Sequence, residues 1–189
     1  MALWLLPALA CAHGWGGTNT PLYDGLLHLL LNPAFDLPVA GVALLASRGG
    51  RDGLALAQLV LAAGVIAGAA VVGAGYVWGG AVLVSRLLII VAGLLVAAAV
   101  PLSRVAINAI VLLCGFLTGH ELLSSEPPAG NPYWFSLGAV LGAMVLQGAV
   151  GALTLVMRAP WTVIAIRIAG SWIAAIGIIY AGFLFIPAR

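Results

Sequence analysis

Long apolar runs with brief interruptions dominate the chain, and their lengths set the expected architecture. A helix crossing a bilayer core about 30 Å thick needs about 20 mostly apolar residues, because each residue rises only about 1.5 Å. Runs of that kind occupy Leu22–Ala46, Leu54–Gly75, Val77–Val100, Leu102–Leu123, Tyr133–Met157 and Trp161–Ile186. The pattern predicts an all-α polytopic membrane protein, a compact bundle of about six transmembrane helices over residues 22–189. Residues 1–21 read as a signal-like or interfacial segment.

The interruptions have physical grounds. Ser47 to Gly53 is a polar, glycine-rich loop with Arg48, Arg51 and Asp52, and Gly73 to Gly80 is a glycine cluster. Pro101 and Pro160 each push the preceding residue away from helical backbone. Ser124 to Pro132 is the longest polar break. Inside the first span, Pro33 and Pro38 each delete a backbone donor, so that span is expected to be discontinuous between about Leu31 and Pro38. Unwound backbone at membrane depth survives only inside protein or along a cavity. Asp36 would sit there, either in an ion site of the broken-helix kind or as the cap of a helix resuming at Leu37 or Pro38.

Glycines four apart, at Gly64/Gly68, Gly75/Gly79, Gly115/Gly119 and Gly138/Gly142, put smooth stripes on helix faces and allow close backbone approach. No repeat of 20 to 50 residues is apparent.

Composition sharpens the class. Apolar residues make up 64% and charged residues 6%, with seven arginines, no lysine and five acids, and the mean hydropathy is +1.22. A soluble domain needs about a quarter of its residues charged, and a nucleic-acid binder needs clustered cations. Both are excluded. The lipid bilayer is the expected partner, with other membrane protein subunits as a further possibility. Cys11 and Cys114 stand far apart, outside any CxxC pair, and support no disulfide framework.

Arginine placement gives an orientation, because Arg is retained on the cytoplasmic side. With the N-terminus outside, Arg48, Arg51, Arg104 and Arg158 fall on the inner side, Arg189 lies outside, and the loop region of Glu121 and Glu126 faces outward. Ala10-Cys11-Ala12 resembles a signal-peptidase site, but no basic residue precedes it. The segment is expected to stay uncleaved, with His13 an ordinary exposed histidine. Arg167 is near enough to the inner end to snorkel. Arg86, about 12 Å into its helix by the per-residue rise, needs a partner, a lipid head group or a wet cavity.

Few polar groups could carry chemistry inside these spans. Asp24 and His28 stand one turn apart and could share a metal or simply pair at the interface. Leu113 to Glu121 reads LCGFLTGHE, concentrating Cys114, Thr118, His120 and Glu121, all possible ligands for a borderline divalent ion such as nickel or zinc. Cys114, Thr118 and Glu121 share a face, while His120 points about 100° from Glu121. Cys114 could equally be a small buried hydrophobe.

These residues resemble the HupE/UreJ family of hydrogenase and urease accessory membrane proteins, which are associated with nickel uptake. In that family a HxxxxxDH motif enters the first span and a FHGxxHGxE motif lies in a later one. Here Asp36 matches the first motif's aspartate, while Leu30 and Leu37 stand where its histidines belong. Gly115, Gly119 and Glu121 match the second motif, with Cys114 and Thr118 replacing its histidines. The tail carries Arg167, Gly170 and Gly177 at the places expected for the last helix. The resemblance implies residence in the inner membrane of a bacterium and a divalent cargo, nickel or another transition metal. The candidate metal ligands are Asp36, Glu121, His28, His120, Asp24 and Cys114.

Three functions then compete: a divergent metal permease, a non-transporting accessory subunit of a larger membrane complex, and a pigment or haem holder using His28 and His120. No Walker, zincin or dinucleotide motif is present, and no catalytic set assembles from nearby spacing. The orientation is testable with an impermeant thiol reagent. Ser125→Cys is expected to label from outside and Ser47→Cys to resist, and the reverse pattern would invert the topology.

Overall fold

The computed structural model describes residues 20–125, 130–157 and 159–185. Cys11, His13, Glu126, Arg158 and Arg189, together with the small-x-small pattern at Ala10 to Ala12, lie outside the described residues. The described chain forms α1 (Pro21–Leu31), α2 (Pro33–Ala46), α3 (Gly50–Gly73), α4 (Ala81–Ala97), α5 (Arg104–Ser125), α6 (Pro132–Val156) and α7 (Thr162–Phe183). It is all-helical. The expected six-span bundle is present, with α1 and α2 together making the broken first span.

The break is narrower than the sequence suggests. Pro33 forces Asn32 into extended backbone, at φ −105° and ψ 108°. Its side chain then accepts from the Ala34 N–H at 3.1 Å and caps α2. Pro38 sits inside α2 and does not unwind it. Asp36 is therefore not in an unwound segment and is not the cap. It lies in the first turn of α2, its N–H bonded to the Asn32 carbonyl at 3.0 Å.

The next breaks also shift. Ser47–Gly49 forms a single 3-10 turn, Gly50 takes a left-handed φ of 72°, and α3 begins there, so Gly50 to Gly53 are helical. Asp52 falls in the first turn of α3, where the helix dipole favours a carboxylate. Gly75 and Gly79 belong to the turn between α3 and α4, not to a helical stripe.

Consecutive spans alternate in direction, and the glycine contacts show which faces meet. α3 and α5 run parallel with their stripes interlocked: a methyl at Gly64 would stand 2.7 Å from the Leu112 carbonyl oxygen, and Gly68 and Gly119 abut the carbonyls of Phe116 and Val65. α1 lies parallel to α6 through Gly138, and α4 lies antiparallel to α7 through Gly93 and Gly170. α2 occupies the middle, with Val39, Val42, Ala43 and Leu45 fully buried.

Apolar side chains also point outward. Leu59, Ile66, Val145, Leu153 and Ile164 are all exposed. Such a surface would be an aggregation hazard in water and is the ordinary lining of a protein facing lipid. Four helical stretches are long and apolar enough to cross a membrane; one joins α2 to α3 across the 3-10 turn, and the others are α5, α6 and α7. The shorter α4, with 17 residues, spans about 26 Å by the per-residue rise.

Arginines close the C-terminus of α4. Arg48 donates to the carbonyls of Val100, Val96 and Leu95, and Arg167 donates to Ala97 at 2.8 Å. Cations there satisfy the helix's last carbonyls and its dipole. Arg48, Arg51, Arg104 and Arg167 thus share one end of the bundle. Tyr76, Trp78, Tyr133 and Trp134 mark the other, as interfacial aromatics do.

The close approach of α3 to α5 generates a stability prediction. Gly119→Ala is expected to destabilise the detergent-purified protein by about 1–3 kcal/mol through overpacking against backbone. Gly73→Ala, which meets nothing within 4 Å, is expected to be nearly neutral in the same thermal unfolding assay. Equal effects would refute the interlocked packing.

Candidate functional site

The polar groups of the bundle gather toward the aromatic end, and their placement follows from the alternation of the spans. Arg86 lies five residues inside α4 and Glu121 four residues before the end of α5, so both stand at similar depth from that end. The Arg86 guanidinium meets the Glu121 carboxylate at 2.5 Å, with the Glu121 side chain 3% exposed and Arg86 12%. This pair answers the need for a partner at Arg86 and was not foreseen.

The second Arg86 nitrogen completes the arrangement. Pro38 has no N–H, so the Ala34 carbonyl one turn earlier has no donor within α2. Arg86 Nη1 donates to that carbonyl and to Ser85 Oγ, each at 3.4 Å. The guanidinium carbon also lies 5.9 Å from the ring centroid of Tyr180 on α7, within cation–π range. One side chain therefore ties α4 to α2, α5 and α7.

Beside this pair is a cavity of about 180 Å³ lined by His28, Asn32, Ala34, Phe35, Val82, Arg86, Glu121 and Leu122. Glu121 Oε2 has no hydrogen-bond partner among the described residues. His28 packs its ring against Phe35 and Phe135, with centroids 5.5 and 6.0 Å apart. The helix break at Asn32 is what opens this space between α1, α2, α4 and α5.

The remaining candidate ligands are scattered. Asp36, directly after Phe35 in the first turn of α2, is half-buried and does not line the cavity. Asp24 lies in the first turn of α1, one turn from His28. Cys114 is a buried free thiol within the apolar core. Among the described residues, no three of His, Cys, Asp and Glu stand together closely enough to hold a metal ion.

His120 faces away from Glu121, as the helical periodicity requires. Its Nε2 accepts from the backbone N–H of Trp78 at 3.0 Å, joining the α3–α4 turn to α5. A neutral imidazole that accepts at Nε2 carries its proton on Nδ1, and Nδ1 has no partner among the described residues. His120, Trp78, Tyr76 and Phe116 line a separate, open cleft of about 520 Å³. Gln147, fully buried on α6, also has both amide ends unpaired among the described residues. A lone glutamine in an apolar run was the visible signal, and it was overlooked.

The HupE / UreJ protein family matches residues 1–180 of this chain, and the chain belongs to that family. Its members are membrane proteins related to nickel and cobalt transport. No curated protein and no solved structure matches the chain.

The His120 bond yields a local prediction. A single hydrogen bond contributes about 1 kcal/mol, which corresponds to about fivefold in an opening equilibrium. His120→Phe is expected to raise amide exchange of Trp78 about fivefold while leaving α6 and α7 unchanged. Unchanged exchange at Trp78 would show that the imidazole does not hold the turn.

Proposed function

We propose that this HupE/UreJ protein admits a divalent transition-metal ion of the nickel type into the cavity beside Glu121, and carries it toward the arginine-rich end of the bundle. The single observation that carries this reading is the buried Glu121 carboxylate, which lines a polar cavity with Oε1 on Arg86 and Oε2 left without a hydrogen-bond partner among the described residues. A buried intramembrane carboxylate is expensive and marks an ion path by default. His28 lines the same cavity and supplies an imidazole, a suitable donor for nickel or cobalt. Asp36 lies in the first turn of α2, next to the cavity-lining Phe35, and offers the following carboxylate along the path. Asp24, His120 and Cys114 are assigned outer, turn-holding and core positions around it.

The orientation proposed for this path puts the aromatic end outside and the arginine-rich end in the cytoplasm. It rests on Arg48, Arg51, Arg104 and Arg167 sharing one end, which follows the positive-inside rule. The membrane implied is the inner membrane of a bacterium.

A second reading, a non-transporting accessory subunit, is favoured by the Arg86 cation already seated on Glu121. Metal content decides between the two. The permease reading expects wild-type protein to accumulate nickel or cobalt in cells, and Glu121→Gln to reduce uptake at least about tenfold, the loss of a ligand's worth of affinity. Glu121→Gln protein inserted at normal levels with unchanged uptake would overturn it. Fixed partner chains co-purifying without metal would establish the accessory role.

A further inference from the structure

Arg86 poses a problem that the permease reading leaves open, since a guanidinium occupies the carboxylate that would take the metal. Its surroundings give the answer. The side chain holds two sets of contacts: Glu121 Oε1 on one side, and the Ala34 carbonyl with the Tyr180 ring on the other. The second set exists because Pro38 frees that carbonyl and α7 places an aromatic face within reach. A guanidinium leaving Glu121 would thus keep acceptors, and would not be stranded in hydrocarbon.

We propose that Arg86 is a tethered counter-cation for the Glu121 site, neutralising the carboxylate when no cargo is bound. An arriving divalent cation displaces it onto Ala34 and Tyr180. Loading is then an exchange of one cation for another, and Arg86 sets how tightly the metal is held. This inference rests on the permease reading and adds the identity of the group the metal must replace.

Electrostatics fixes the direction of the effect. An ionised carboxylate left alone in the bundle is strongly disfavoured, so the pair keeps the unloaded site stable. Once displaced, Arg86 remains near the site and repels the metal, which weakens binding and favours release. A rigid fork of donors suits this role, because Arg reaches Glu121 and a backbone carbonyl from separate nitrogens of one planar group, whereas Lys presents a compact, strongly hydrated point charge.

The test is nickel titration into detergent-purified full-length protein, with calorimetric detection, for wild type, Arg86→Gln, Arg86→Lys and Glu121→Gln. Removing one nearby positive charge is expected to tighten nickel binding about tenfold or more in Arg86→Gln, given the strength of close charge pairs in a poorly screened site. Arg86→Lys keeps a cation and should fold even if Arg86→Gln does not; it is expected to fall between the two. Glu121→Gln should show no binding. Wild-type binding with neither Arg86 variant tighter would overturn the counter-cation and leave the permease reading standing. Binding by Arg86→Gln alone would support the counter-cation and overturn transport by the wild type. Binding by none of them would overturn both.

Discussion

A guanidinium and a carboxylate cannot each stand alone inside hydrocarbon, and the arrangement of the aromatic end of this bundle follows from bringing Arg86 and Glu121 together. Each would be costly unpaired, and removing one partner of a buried pair typically destabilises by about 3–5 kcal/mol. Their meeting fixes the register of α4 against α5. The cavity beside them exists because α1 ends at Asn32 and α2 restarts at Pro33. Pro38 then adds a consequence that looks like damage and is used: the carbonyl it leaves unbonded becomes an acceptor for Arg86.

The other end of the molecule is organised by the same need to satisfy polar groups, with different means. Arg48 and Arg167 reach the last carbonyls of α4. Arginines that read as orientation signals therefore also serve as helix caps. Between the two ends almost no charge is available, so packing must come from shape. Glycine stripes on α3 and α5 supply it by bringing backbones into contact, where small residues let van der Waals packing replace the hydrophobic effect that lipid cannot provide.

Much of this was legible in the sequence, for definite reasons. Span lengths follow from bilayer thickness, and the six runs reappear as helices with ends displaced by a few residues. The break in the first span was signalled by its prolines, but its position was not. Pro33 acts on the residue before it and Asn32 supplies the cap, whereas Pro38 is accommodated because a side chain distant in sequence takes the freed carbonyl. Gly75 and Gly79 have helical spacing and yet lie in a turn, since spacing alone does not distinguish a stripe from a loop. The opposed directions of His120 and Glu121 were readable from periodicity. What each one meets was not, because Arg86 is 35 residues from Glu121 and Trp78 is 42 residues from His120. Combining span alternation with depth would have placed Arg86 opposite Glu121, the one step that could have recovered the pair.

The central claim is that Arg86 and Glu121 act as one interacting unit within the bundle. A double-mutant cycle tests it most directly, comparing the unfolding free energies of Arg86→Leu, Glu121→Leu and the double variant with wild type. The paired arrangement predicts that each single change costs about 3–5 kcal/mol and that the double variant recovers most of that loss, because it leaves no uncompensated charge in the apolar interior. Additive losses, with the double variant as unstable as the sum of the singles, would contradict it.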